Sequence, residues 1–365
     1  MKVTNIIQLL EQLASSSLQE SYDNCGLLTG NEEWDCSGIL CTLDVTEDVV
    51  AEAVAKGCNL IVAHHPVIFG ELKKITGRNY VERTIIAAIK NDIAIYAIHT
   101  NLDNVIEGVN GKIADKIGLI NRSVLQPKDQ LLRKLSTFIP SYYAEKIKQA
   151  LFDAGAGNIG NYSECSFSVA GEGTFKASDK ANPFVGEKGN RHTESEIKLE
   201  VIFPAHLQYG IEKALKKAHP YEEVAYDIFS LENTFSSIGS GLIGELETEI
   251  EELDFLKMIK DIFQLKAIRH TAFLGKPIKR VAVCGGAGSF LTKKAIAAKA
   301  DIFISADYKY HEFFDAENKL IIADIGHWES EQYTIDILTE VLQSNFPTFA
   351  VLKTIVSTNP VFYFY

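Results

Sequence analysis

Apolar positions along the chain follow two alternating patterns. Residues 1–13 carry apolar side chains at Ile6, Ile7, Leu9, Leu10 and Leu13, with polar Asn5, Gln8, Glu11 and Gln12 between them, the signature of an amphipathic helix. Beyond it come short, almost uninterrupted apolar runs at 39–45, 59–63, 93–98, 280–284, 301–305 and 320–324. Runs of that length without polar alternation predict strands buried on both faces, as in a parallel sheet. Helical periodicity separates them. Thr46 followed by Glu47 and Asp48 is an N-cap with an acidic first turn, and Gly57 closes that helix. Further helices are predicted at 81–90, at 289–298, and at 332–343, where Ile335, Leu338, Val341 and Leu342 form the apolar stripe. Residues 351–357 and 361–365 read as closing strands.

The predicted fold class is α/β, with two similar βαβ-type halves forming a core and an α+β unit inserted between them. The halves align on their second and third strands: 55–65 lies opposite 298–307, and 91–99 opposite 318–327. In each half the later strand leads into a histidine with a carboxylate four residues on, His99 with Asp103 and His327 with Glu331. Such agreement fits a structural duplication, and also two independent copies of a stereotyped unit. The domain division predicted is 1–126 for the first half, 127–232 for the insert and 233–365 for the second half. The insert is itself a repeat. A strand ending in Pro140 precedes Ile147, Ala150, Leu151 and Ala154; a strand ending in Pro204 precedes Ile211, Ala214, Leu215 and Ala218 at matching offsets. A returning strand follows each helix, which gives a βαβ-βαβ, ferredoxin-like arrangement. Residues 171–193, rich in Gly, Lys, Asn and Ser, read as a long loop.

Composition narrows the class of partner. The chain of 365 residues has 36 basic and 48 acidic side chains and a net charge of −12, which disfavours bulk nucleic-acid binding. A local metal site would still attract a phosphorylated small molecule. No run is long and apolar enough to predict a membrane span, and the first residues lack a secretory leader pattern. Six cysteines without a CxxC pair fit reduced thiols in a cytoplasmic protein.

Candidate chemistry collects where the parallel strands end, the edge at which open α/β sheets bind ligands. His64 and His65 end the second run, and Pro66 turns the backbone so that both rings can reach one crevice. A histidine pair can also simply cap a strand. Asp103 follows the third run, where an Asx turn is the alternative role. His327 and Glu331 stand at i and i+4, one face of a starting helix, with Glu329 as the competing carboxylate. Three imidazoles and two carboxylates exceed the needs of a single catalytic zinc and suit two first-row transition ions sharing a carboxylate. His99 and His311 are weaker candidates, His99 for orienting a ligand and His311 for proton transfer. Asp307 stands at the same crevice. The Gly285–Gly288 turn after a strand is either a phosphate-binding loop or a plain glycine-rich turn, with neither a Walker ending nor a full GxGxxG.

The ordered series YDNCGLLTG (22–30), HHPVIF (64–69), HTNLDN (99–104), GLIGEL (241–246), VAVCGGAGSF (281–290), SADYKYHEFFDA (305–316) and DIGHWESE (324–331) resembles the family of GTP cyclohydrolase 1 type 2 homologs, also called Ngg-interacting-factor-like proteins. The resemblance implies a dinuclear centre held by His64, His65, Asp103, His327 and Glu331, with Glu331 bridging. It also implies a toroidal homohexamer and, in longer members, an inserted domain similar to PII and divalent-cation-tolerance proteins. Leu242 departs from the arginine usual in the family at that place, and Ser305–Ala306–Asp307 stands for its usual Thr-Gly-Asp. The function expected is that of a metal-dependent hydrolase of a nucleotide or related small molecule, with two Zn, Mn, Fe or Co ions per chain. A non-enzymatic metal-binding or sensor protein is the alternative.

Overall fold

The computed structural model describes residues 1–364, and the chain divides into two compact units. The first comprises Met1–Pro127 and the segment from Ser236 onward; the second is Lys128–Phe235.

Two sheets make up the first unit. One has five strands in the order Gly26–Thr29, Ala94–Ala97, Leu60–Ala63, Ile39–Thr42 and Val351–Lys353. The last four are parallel and the Gly26–Thr29 edge is antiparallel. The other has six strands in the order Arg269–His270, Ile321–Asp324, Ile302–Ala306, Ile278–Ala287, Phe235–Ile250 and Ile120–Lys128, with the central three of the predicted runs parallel. The apolar runs are explained by what covers each face. Alternate residues Cys41, Val62 and Tyr96 of the first sheet share one core with Val281, Val283, Ile304 and Ala323 of the second. Their neighbours Leu40, Ile61 and Ile95 pack outward on Val49, Val50, Ala53 and Ile85, and Ala282, Phe303 and Ile322 pack outward on Leu291 and Ala295. Ile39–Thr42, Leu60–Ala63, Ala94–Ala97, Ile302–Ala306 and Ile321–Asp324 are buried at every position, so few of them need to be polar.

The local signals read from sequence are met in detail. Helix Val3–Leu13 buries Val3, Ile6 and Leu10. Thr46 accepts a hydrogen bond from the Val49 amide and starts helix Glu47–Ala55, and Gly57 follows in the left-handed region. All six cysteines are free. No helix among the described residues is long and apolar enough to cross a membrane.

Three differences from the sequence reading have physical causes. Val351–Lys353 pairs with Ile39–Thr42, whereas Ile120–Lys128 joins the second sheet, so each sheet takes an edge strand from the other end of the chain. The closing strand also stops at Lys353, and residues 361–364 form no strand; Tyr365 lies outside the described residues. Beyond Lys353 side chains take over the backbone: Glu52 accepts from the Ile355 amide and from Thr354. Finally, the Gly-rich stretch at 171–193 is not all loop. Strands Ser166–Lys176 and Arg191–Pro204 pair throughout as an antiparallel hairpin, because its residues alternate faces whatever their polarity.

The second unit is built in the order strand Leu132–Pro140, helix Ala144–Asp153, that hairpin, helix Gln208–Ala218 and strand Tyr226–Ser230. Its four-stranded antiparallel sheet buries Leu135, Ile139, Leu199, Val201 and Phe203 against Ile147, Leu151, Ile211 and Leu215. Each unit thus has its own apolar core. In the first unit the two chain ends that flank the second are adjacent, since a Cβ on Gly239 would stand 2.7 Å from the Pro127 Cα. Replacing residues 128–235 by a short linker is therefore expected to leave a folded first unit. Cooperative thermal unfolding with unchanged far-UV dichroism per helical residue would bear this out; an insoluble product would refute it.

Candidate metal centre

Five parallel strands of the two sheets deliver their carboxyl ends to one place. Beyond Leu60–Ala63 the ladder continues for two residues, the His64 amide donating to Thr42 O and the His65 amide to Leu43 O. The chain then turns at Pro66, and both rings stay in the crevice with centroids 4.9 Å apart. Ala94–Ala97 leads to His99 and the short helix Thr100–Asp103. Ile321–Asp324 leads to the helix His327–Glu331, where the spacing of four puts both side chains on one face as expected. Ile302–Ala306 ends at Asp307, and Ile278–Ala287 ends in the glycine turn.

Each imidazole is held by its Nδ1. His64 Nδ1 donates to Ile98 O at 2.9 Å, His65 Nδ1 to Asp44 Oδ1 at 2.7 Å, His99 Nδ1 to Asp23 Oδ1 at 2.8 Å and His327 Nδ1 to Asp307 Oδ2 at 2.6 Å. An imidazole fixed in this way presents Nε2 on its other side, the arrangement that orients histidine toward a metal. His64 Nε2 lies 3.6 Å from Asp103 Oδ1 and 4.0 Å from Glu331 Oε1. The other Glu331 oxygen is 2.9 Å from His65 Nε2 and 3.2 Å from His327 Nε2. Three groups could hold a metal ion, with ligand atoms within 4.8 Å of one another: His64 with Asp103 and Glu331, His65 with His327 and Glu331, and His64 with His65 and His99. Two atoms test the fit. His64 Nε2 and Asp103 Oδ1 are buried and have no hydrogen-bond partner. Buried polar atoms are seldom left so, and a divalent cation would satisfy both.

Charge is arranged around Glu331, which is 3% exposed. Burial opposes its ionisation, but His65 and His327 outweigh that and hold its carboxyl well below the usual range. The reciprocal effect overcomes burial at the two imidazoles, raising His65 to about 10 and His327 to about 11. At His64 burial outweighs the pull of Glu331 and drives it down to about 3, which keeps the ring neutral. Burial, reinforced by the nearby Glu331 charge, pushes Asp103 well above the usual carboxylate range. Without a cation, then, imidazolium meets the charge of Glu331, while Asp103 beside it is pushed toward its neutral form.

The remaining sequence candidates fall into place. Glu329 is turned away from the centre, accepting from Asn359 Nδ2 at 3.0 Å, and belongs to none of the three groups. His311 also stays outside them: it is exposed and packs on the rings of Tyr310 and Phe314. Leu242 is buried in the core shared by the sheets. The glycine turn is not a free phosphate cradle, because the Gly285 amide donates to Asn110 Oδ1 and the Gly286 amide to Ser330 Oγ. Its purpose is room. Gly286 has φ +61°, and a Cβ there would stand 2.4 Å from Glu331 Oε1. Two supporting acids escaped the sequence reading. Asp23 enters the sequence reading only within the YDNCGLLTG motif, yet it receives bonds from His99, Thr100 and Cys25. Asp44 was not singled out, although its position just past the first strand of the same sheet was a usable signal.

Gly286→Ala is expected to force both a strained left-handed backbone and a displaced Glu331. A loss of about 1–3 kcal/mol in denaturant unfolding is anticipated. Gly288→Ala is no substitute control, since Ser305 and Cys284 crowd that site too; Gly70→Ala, in open space, is the one that should stay neutral.

Comparison with known proteins agrees with the motif series. The family described as Duf34/NIF3 (NGG1p interacting factor 3) matches residues 1–360. A protein of Bacillus subtilis (strain 168) named GTP cyclohydrolase 1 type 2 homolog is 39% identical over 325 residues, 88% of this chain and 87% of its own. Its namesake from Halalkalibacterium halodurans is 40% identical over 332 residues, 90% and 89% of the two chains. Among solved structures, a Bacillus cereus protein related to NIF3 superposes with a TM-score of 0.87 at 37% identity, covering 100% of this chain and 99% of that one. A Staphylococcus aureus protein gives 0.78 at 28% identity with the same coverage. The chain belongs to the Duf34/NIF3 family.

Proposed function

We propose that His64, His65, Asp103, His327 and Glu331 hold two divalent ions that share Glu331, and that the protein is a metal-dependent hydrolase of a nucleotide or related compound. The observation that carries this reading is the position of Glu331, whose two oxygens address different histidines: Oε1 faces His64, while Oε2 faces His65 and His327. Mixed imidazole and carboxylate donors suit Zn, Mn, Fe or Co. Ions bound there would supply Lewis acidity and bring the ionisation of water toward neutral pH.

The chain's own groups have distinct parts in such chemistry. Asp44 and Asp307 fix the rings of His65 and His327, so their Nε2 atoms need no rearrangement to serve as ligands. His99, with Asp23 on its Nδ1 and its ring centroid 5.2 Å from those of His64 and His65, is placed to hold a proton at Nε2 beside the centre. His64 Nε2 and Asp103 Oδ1 are buried and Glu331 is 3% exposed, which keeps bulk water from these atoms. A purine nucleotide is the substrate class suggested by the relatives' name, and phosphoester hydrolysis suits the same residues. The family resemblance supports a toroidal hexamer working in the cytoplasm.

His65→Ala and Glu331→Ala are expected to lose metal on elemental analysis of the purified chain, with Glu329→Ala unchanged. Full metal content in the first two would refute the ligand assignment. Asp44→Asn is expected to weaken metal affinity roughly 10–100-fold in competition with a chromogenic chelator. Turnover of a nucleotide panel should vanish with chelator and return with Zn, Mn, Co or Fe. A metal-replete protein inert to nucleotides and phosphoesters would instead favour a metal-binding or sensor role. Light scattering should return six times the mass of the 40.4 kDa chain; a monomer mass would refute the assembly.

A further inference from the structure

The second unit has a cavity of its own, of about 1010 Å³. It lies on the sheet face opposite the helices. Leu135, Ile139, Leu199 and Val201 point toward the helices, so the alternate residues Phe138, Glu196 and Lys198 point away, and all three line the cavity. Cross-strand pairing puts Val169 beside Lys198 and Gly171 beside Glu196 on that face. The segment 177–184 and the turn at 221–225 form the remaining wall. They are tied together where the Asn182 amide donates to Glu222 Oε1 at 2.7 Å and where Phe184 meets the ring of Tyr221.

Aromatic rings and a buried carboxylate line the cavity, with the exposed Lys176 and Lys180 also bordering it. Tyr221 is in ring contact with both Phe175 and Phe184, and Phe138 is a third phenyl on the cavity. Glu196 is 9% exposed. One of its oxygens accepts from the Tyr221 hydroxyl at 2.9 Å; the other lies over Gly173, where a Cβ would come within 1.9 Å. No cation pairs with Glu196 among the described residues, and its neighbour Lys198 is engaged by Glu200 at 2.8 Å. Gly171, alongside, leaves open space where any other residue would project a side chain. A buried carboxylate without a counter-charge is costly, and an aromatic enclosure favours a cation over an anion or a neutral group.

We propose that this cavity binds a small organic cation, with an ammonium or guanidinium group on Glu196 and an apolar body between Phe138, Phe175, Phe184 and Tyr221. Glycine at 171 and 173 serves the site directly, by leaving space for the ligand and by letting the carboxylate lie flat on the strand. Nothing in this arrangement involves the metal centre, so occupancy does not depend on metal.

The test uses the full-length protein, with and without chelator, and calorimetric titration of phenethylammonium and of the guanidinium agmatine. Phenylethanol and phenylpropionate are the neutral and anionic controls. Phenethylammonium is expected to bind at least roughly tenfold more tightly than phenylethanol, with no binding of phenylpropionate and no effect of chelator. Glu196→Gln, which keeps the shape and the Tyr221 hydrogen bond, should remove the preference for the amine over the alcohol. Gly171→Leu should abolish binding of both by filling the space. Tyr221→Phe, milder still, should weaken the amine should either of the others fail to fold. Failure of both cations to bind, equal binding of the carboxylate, or an unchanged amine affinity in Glu196→Gln would overturn the proposal.

Discussion

A carboxylate taken out of water determines how the first unit is built. Glu331 is nearly inaccessible and fully surrounded by groups from both sheets, so its charge must be met by protein or by cations. His65 and His327 face it, and Asp44 and Asp307 hold their far nitrogens. Removing the acid would leave two imidazoles with carboxylates behind them and nothing in front. The second sheet carries Glu331 and His327 while the first carries His64, His65 and Asp103, so the electrostatic requirement also fixes how the sheets meet. The shared apolar core gives adhesion without direction; the acid and its histidines supply the register.

That arrangement explains where the sequence relaxes its own rules. A strand of ten residues, Ile278–Ala287, ends in glycines because a side chain at Gly286 would occupy the place of the carboxylate. Asp307 has φ +57°, an uncommon conformation for a residue other than glycine, at the position from which its carboxylate reaches His327. Both departures sit within one residue of a strand end. At these two positions the departure from ordinary backbone falls on the edge that carries the chemistry.

How much was legible beforehand follows from whether a feature is local. Strands buried on both faces announce themselves by unbroken apolar runs, and Thr46, Gly57 and the His327–Glu331 spacing are local signals that a short peptide already contains. The five candidate ligands could be picked out because each follows such a run. Strands at and next to the sheet edges could not: Gly26–Thr29, Ile120–Lys128 and Phe235–Ile250 mix polar and glycine residues, and only the neighbouring strands make them strands. The exchange of edges between the two ends of the chain is likewise a long-range choice with no local mark. Supporting acids are the hardest. Asp23 and Asp44 look like ordinary turn residues until the ring nitrogens they hold arrive from elsewhere.

The last eleven described residues make the same point about distance. Their backbone forms no strand after Lys353, yet they reach three positions that matter. Glu52 on the second helix receives Thr354 and Ile355; Asp44 receives Thr358, whose hydroxyl also accepts from the Trp328 indole; Glu329 receives Asn359. Asp44 is thereby held from one side by Thr358 while it holds His65 with the other oxygen. Glu329, the nearest rival to Glu331 in sequence, is drawn off by the same segment. The helical spacing puts Glu331 on the face of His327, and a stretch with little secondary structure satisfies Glu329 on the other side. Thr358 and Asn359 thus support the site, although every candidate ligand lies upstream of them.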